Sequence, residues 1–107
     1  MFNLGLAREA RSVIVRLTGE LDIENAPDVK DCLGRLVEQG DADIVVDLRQ
    51  LTFCDSSGVS ALVYGYEACR AADGRLRIRG ENGTVARVLD ISGVRGVLSG
   101  SGTSPTR

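Results

Sequence analysis

Two short segments carry the residue types that could do chemistry, Asp55-Ser56-Ser57-Gly58 and Gly19-Glu20-Leu21-Asp22. A serine hydroxyl beside carboxylates can attack a substrate, accept a phosphoryl group, or simply cap a helix. The nucleophile reading lacks a base. The chain contains no histidine, so no Ser-His-Asp triad can be assembled, and no Gly-x-Ser-x-Gly elbow is present. Lys30 is the only lysine and falls on a different helix, so a Ser-Lys pair has little support. Metal chemistry fares no better. Cys32, Cys54 and Cys69 form no CxxC, and three such residues cannot complete a four-ligand zinc site. No catalytic activity, cofactor or metal is expected.

The elements that must position these residues follow from periodicity. Leu4–Arg8 and Val13–Thr18 read as two strands of an antiparallel hairpin, with Arg11 and Ser12 at the turn and Gly19 ending the second strand. Asn25-Ala26-Pro27-Asp28 reads as a helix start, with Asn25 as cap and Asp28 at the positive end of the dipole. Val29, Cys32, Leu33, Leu36 and Val37 then make one apolar helical face that Gly40 stops. Ile44-Val45-Val46-Asp47-Leu48 suits a strand buried on both faces, and Arg49 through Asp55 is expected to be the loop leaving it.

A second helix begins near Ser57, with Val59, Leu62, Val63, Tyr66 and Cys69 inward, and closes at Asp73-Gly74. Arg75–Arg79 alternates strictly and predicts a strand with one buried face and one basic face. Thr84–Asp90 predicts a short third helix. The Gly/Ser-rich segment 99–107 predicts a disordered tail, leaving residues 1–98 as the domain. The fold class is therefore α/β: one mixed sheet of about four strands, the first hairpin antiparallel and the rest parallel, packed with about three helices.

Sites in open α/β sheets gather beyond the carboxyl ends of the strands. If the second and third strands are parallel neighbours, Glu20, Asp22, Asp55, Ser56 and Ser57 share one acidic edge. Residue types alone favour a plain helix cap at Asp55, Ser56 or Ser57, with Gly58 easing the turn. A phosphate on Ser56 would also suit that place, because it would face free N–H groups and the positive dipole end.

Taken together, Gly19-Glu20-Leu21-Asp22 and Asp55-Ser56-Ser57-Gly58 resemble the signature segments of bacterial STAS-domain anti-sigma factor antagonists. Arg16-Leu17-Thr18, Val45-Val46-Asp47-Leu48 and Asp90-Ile91-Ser92-Gly93-Val94 extend the resemblance over about residues 1 to 98. It implies a partner-switching cycle. The unmodified protein binds an anti-sigma factor with serine kinase activity and so frees a sigma factor. The kinase phosphorylates the first serine of the motif, here Ser56, and the complex dissociates; a PPM-type serine phosphatase reverses this. The resemblance places Asp22 and Asp55 on the partner-binding surface together with Ser56, adds Glu20 and Ser57, and gives Gly58 a close backbone approach. Family members usually continue into a further strand and helix where this chain has its Gly/Ser segment, so a final covering element is expected to be missing. The rival use of the same domain is as a scaffold subunit of a stress-signalling assembly or a lipid transporter.

Composition excludes other classes. Thirteen Lys and Arg are dispersed among fifteen Asp and Glu, the net charge is -2, and Trp is absent, so no nucleic-acid footprint is expected. Neither a membrane-spanning run nor a signal peptide is read, and a cytoplasmic location is expected. Cys32 and Cys69 are expected in the core and Cys54 in a packed loop beside Phe53, with a redox sensor at Cys54 as the alternative.

Overall fold

A computed structural model describes residues 1–100. Strand β1 (Phe2–Glu9) pairs antiparallel with β2 (Ser12–Leu21), from Phe2 opposite Gly19 to Glu9 opposite Ser12. The hairpin turns through Ala10, whose φ of 55° lies in the left-handed region. Helix α1 (Ala26–Glu38) carries the chain to β3 (Asp43–Cys54), which lies parallel to β2. Helix α2 (Ser56–Ala71) then leads to β4 (Arg75–Arg79), parallel to β3, and α3 (Gly83–Ile91) and α4 (Arg95–Ser99) follow. The sheet order is β1-β2-β3-β4, so the expected mixed sheet is observed.

The core lies between one sheet face and the helices. Val15 and Leu17 of β2, Val46 and Leu48 of β3, and Leu76 and Ile78 of β4 meet the inward faces of the helices. Val29 and Leu33 of α1 and Leu62 and Cys69 of α2 are fully buried against them. Each such leucine contributes about 2 kcal/mol through burial. No helix among the described residues is long and apolar enough to cross a membrane.

Four differences from the sequence reading bear on the site. Gly19 does not end β2, and the expected Arg49–Asp55 loop is strand as far as Cys54. The cause is two register shifts, between Arg16 and Thr18 and between Gly19 and Glu20, each placing an extra residue on β3. They reset the inward phase, which is why Leu48, Leu51 and Cys54 are all buried although three residues apart. Gly19 absorbs the second shift with a φ of 94°, and its missing Cβ leaves room for the Met1 carbonyl.

Asn25 does not cap α1 through its side chain. Its Oδ1 instead accepts from the Asp22 N–H at 2.9 Å, and its Nδ2 donates to the Glu20 carbonyl at 2.8 Å. The side chain braces the preceding turn, and its backbone is already helical.

The third helix is followed by a fourth. Leu98 of α4 is buried in the core, and the Gly100 backbone lies beside the aliphatic part of the Arg77 side chain. A short covering element therefore packs on β4, the edge strand, where none was expected. Ser99 belongs to that helix, and the predicted tail from residue 101 onward lies outside the described residues. A single buried leucine in a run of Gly and Ser is too faint a periodic signal to announce one turn of helix.

Candidate functional site

The carboxyl ends of β2 and β3 are held together by specific bonds. Leu21 pairs with Cys54, and Glu20 with Phe53. The Asp55 N–H donates to the Leu21 carbonyl at 3.2 Å, and Thr52 Oγ1 donates to the Gly19 carbonyl at 3.0 Å. The adjacency on which a shared acidic edge depended is thus present. Glu20, Asp22, Asp55, Ser56 and Ser57 sit at one end of one strand pair.

Each side chain is placed by a local device. Asp22 is half-buried and organises its turn: its Oδ1 accepts from the Glu24 N–H at 3.0 Å, and its carbonyl accepts from the Ala26 N–H at 2.8 Å. Asp55 is the N-cap of α2, with extended backbone and Oδ1 accepting from the Gly58 N–H at 3.1 Å. Ser56 is consequently the first helical residue, is exposed, and is free of the capping task. Ser57 is half-buried, and Glu20 is exposed.

Gly58 differs from the rest. It is buried, and a Cβ there would stand 2.7 Å from both Cys54 Sγ and Leu21 Cγ. The close approach expected of it is to this chain's own β2 and β3. It lets α2 start flush against the strand ends, which is how Ser56 comes to lie beside the Asp22 turn.

Cys54 is fully buried at the end of β3, and burial followed by the neighbouring Asp55 charge pushes its thiol up to about 11. A thiol held protonated and out of solvent is a poor peroxide sensor. Cys69 is fully buried and Cys32 half-buried, so both pack in or against the core.

Sequence reasoning missed the apolar part of this edge. Ile23, next to Asp22, is 72% exposed, and Phe53, opposite Glu20, is 41% exposed. Their signal was a large apolar side chain immediately beside each polar motif. It was hidden for Phe53 because the segment was read as loop. Carboxylates and a hydroxyl around two exposed apolar side chains make a surface suited to a protein partner, with anchors as well as charges.

A family model described as the Mlab STAS domain matches residues 4–99. The chain belongs to the STAS-domain family. This STAS domain is 26% identical over 102 residues to the anti-sigma-B factor antagonist of Bacillus subtilis, covering 95% of this chain and 93% of that protein. It is similar to the anti-sigma factor antagonist SpoIIAA in its unphosphorylated form, with a TM-score of 0.69, 26% identity, and coverage of 85% and 83% of the two chains. The phosphorylated form of SpoIIAA, described as a Bacillus cell fate determinant, gives a TM-score of 0.72 at 27% identity, with coverage of 92% and 87%.

Proposed function

We propose that this STAS domain is an anti-sigma factor antagonist switched by phosphorylation of Ser56. Unmodified, it docks the edge formed by Glu20, Asp22, Asp55, Ser56 and Ser57 on an anti-sigma factor with serine kinase activity, which then releases its sigma factor. The observation that carries this reading is that Asp55 caps α2, so Ser56 stands exposed at the first helical position, beside the Asp22 turn.

The chemistry asked of the chain is small. Ser56 Oγ attacks the γ-phosphorus of ATP held by the kinase, the bond to the bridging oxygen breaks, ADP leaves, and the hydroxyl proton passes to a base of the kinase. The chain supplies a hydroxyl and its placement. The phosphate then lies at the start of a helix of sixteen residues, where first-turn N–H groups lack helical acceptors and the dipole favours negative charge. The fold can therefore keep its shape while about -1.5 to -2 of charge joins an edge that already holds Asp22 and Asp55. Repulsion and loss of fit would dissociate the complex, and a PPM-type serine phosphatase would restore the free hydroxyl. The likeness to both forms of SpoIIAA, at similar TM-scores, supports a switch that acts through surface charge and not through refolding.

Incubation with the cognate kinase and ATP, followed by peptide mapping, tests the proposal. One phosphate on Ser56, absent from Ser56→Ala, is expected. Labelling only at other residues, or none with any candidate kinase of the source, overturns it.

A further inference from the structure

Away from the switch edge, the sheet face opposite the main core carries a cluster of arginines. Arg16, Asp47 and Arg79 are register partners across β2, β3 and β4, and Ile14, Val45 and Arg77 are partners two residues earlier on the same face. Asp47 is only 7% exposed, and its Oδ1 accepts from the Arg49 N–H at 3.0 Å. That bond satisfies a backbone donor near the point where β3 carries its extra residue. The other oxygen, Oδ2, faces three guanidinium groups, Arg49 at 3.6 Å, Arg16 at 3.7 Å and Arg79 at 3.8 Å.

These distances are too long for hydrogen bonds, so the cations are gathered by charge and their donors are not engaged by Asp47. Arg79 also lies 3.7 Å from Glu9, which is largely exposed. Arg77 Nε and Arg79 Nε are buried without a hydrogen-bond partner among the described residues. Three guanidiniums, those of Arg16, Arg49 and Arg79, thus stand against the carboxylates of Asp47 and Glu9, beside a cleft of about 270 Å³ lined by Arg16, Leu17, Asp47, Arg49 and Gln50. Covering Ile14 and Val45 needs only the aliphatic stems of the arginines. It does not need the charged heads of Arg16, Arg49 and Arg79 to converge on one carboxylate oxygen, nor Arg79 Nε to be buried without an acceptor.

We infer that this cleft is a binding site for a small tetrahedral oxyanion of the phosphate class, held by Arg16, Arg49 and Arg79 on the solvent side of Asp47. Several oxygens on one centre match several planar donor groups, and each bond made is charge-assisted. Asp47 pre-positions the guanidiniums and opposes the ligand, but three guanidiniums outweigh its one charge, and that excess is what favours a multiply charged anion over chloride. Free phosphate and a phosphate monoester present the same oxygens.

The test is a titration of the full chain with inorganic phosphate, and separately with glycerol 3-phosphate, read by NMR at the arginine Nε–H signals. Sodium chloride at matched ionic strength is the control. Saturable shifts at Arg16, Arg49 and Arg79 with either ligand are expected, and the ligand that binds names the source. Arg49→Gln, a largely exposed position, should weaken binding about tenfold or more, whereas Arg8→Gln should not. Asp47→Asn should tighten it, because it removes the opposing charge and keeps the acceptor for the Arg49 N–H. Shifts that never saturate, that chloride reproduces, or that Arg49→Gln leaves unchanged overturn the proposal.

Discussion

The backbone N–H of Asp55 donates to the carbonyl of Leu21 at 3.2 Å, while the Asp55 side chain accepts from the Gly58 N–H at 3.1 Å. One residue thereby ties the end of β2 to the entry of α2 and caps that helix. The Gly-Glu-Leu-Asp segment ends at Asp22 and the Asp-Ser-Ser-Gly segment starts at Asp55, 33 positions later in the chain, yet they behave as one edge because this residue joins them.

Replacing Asp55 with alanine removes the side-chain bond and keeps the backbone one. The helix start then holds an unsatisfied N–H at Gly58, and stability should fall by about 1 kcal/mol. Asp55→Asn retains the accepting oxygen and should recover most of that loss. Urea denaturation of both variants measures this, and an equal loss in the two would show that the carboxylate charge matters more than the cap.

Gly58→Ala should be more damaging, although the glycine is not in the left-handed region. Its Cβ would meet Cys54 Sγ and Leu21 Cγ at 2.7 Å, and overpacking of this kind costs about 1–3 kcal/mol. Leu21→Ala opens space at the same point. The double variant should therefore lose clearly less than the sum of the single losses, a coupling of about 1 kcal/mol in the thermodynamic cycle. Strict additivity would mean that α2 relieves the clash by shifting as a body.

Much of this edge was legible in the sequence, for reasons that also explain what was hidden. The two motifs lie at strand ends because Val13–Leu17 and Ile44–Leu48 are runs rich in β-branched residues that can only be strands. Their parallel adjacency followed from the intervening α1, whose apolar face repeats cleanly. Past Leu48 the alternation of two breaks twice, because each bulge on β3 inserts a residue, so a real strand looked like a loop. Asn25 illustrates a different limit. Its type and position match a helix cap, but the Asp22 N–H and the Glu20 carbonyl compete for the same side chain, and only the three-dimensional turn decides between them. The arginine cluster was invisible because Arg16, Asp47 and Arg79 meet only through register.

Ile23 and Phe53 should matter for binding and little for folding. Both are exposed where the carboxylates cluster, and truncating an apolar anchor at an interface typically costs about 1–3 kcal/mol. Phe53→Ala and Ile23→Ala should each weaken binding to the anti-sigma factor by about tenfold or more, with urea midpoints little changed for Ile23→Ala. Calorimetry with the purified partner reads this directly. Unchanged affinity in both variants would leave the polar residues as the whole recognition surface.

Alkaline pH should destabilise the protein through its buried thiols. Burial raises Cys54 and Cys69 to about 11, from an ordinary value of 9.0, with Asp55 and Asp43 adding to the effect. Each folded-state thiol is thus a weaker acid than in the unfolded chain. Below pH 9 both states are protonated and the full stability is present; between pH 9 and 11 the unfolded thiols ionise first, and stability drains away. Urea midpoints measured at pH 8 and pH 10.5 should fall for the wild-type chain and fall less for Cys69→Ala. A parallel fall in the two would assign the alkaline loss to other groups.

Asp47 separates two roles that a single deletion would confuse. Its charge faces three arginines whose side chains are 38% to 68% exposed, so water screens much of that attraction. Its Oδ1, by contrast, satisfies the Arg49 N–H in a part-buried setting, and leaving such a donor without a partner costs about 1–3 kcal/mol. Asp47→Ala should therefore lose about 2 kcal/mol, whereas Asp47→Asn, which keeps an accepting oxygen, should lose less than about 1 kcal/mol. Raising sodium chloride should narrow the small gap between wild type and Asp47→Asn, since only the charge contribution is screened. If Asn proved as damaging as Ala, with a gap that salt removes, the arginine charges and not the Arg49 N–H would be what Asp47 serves.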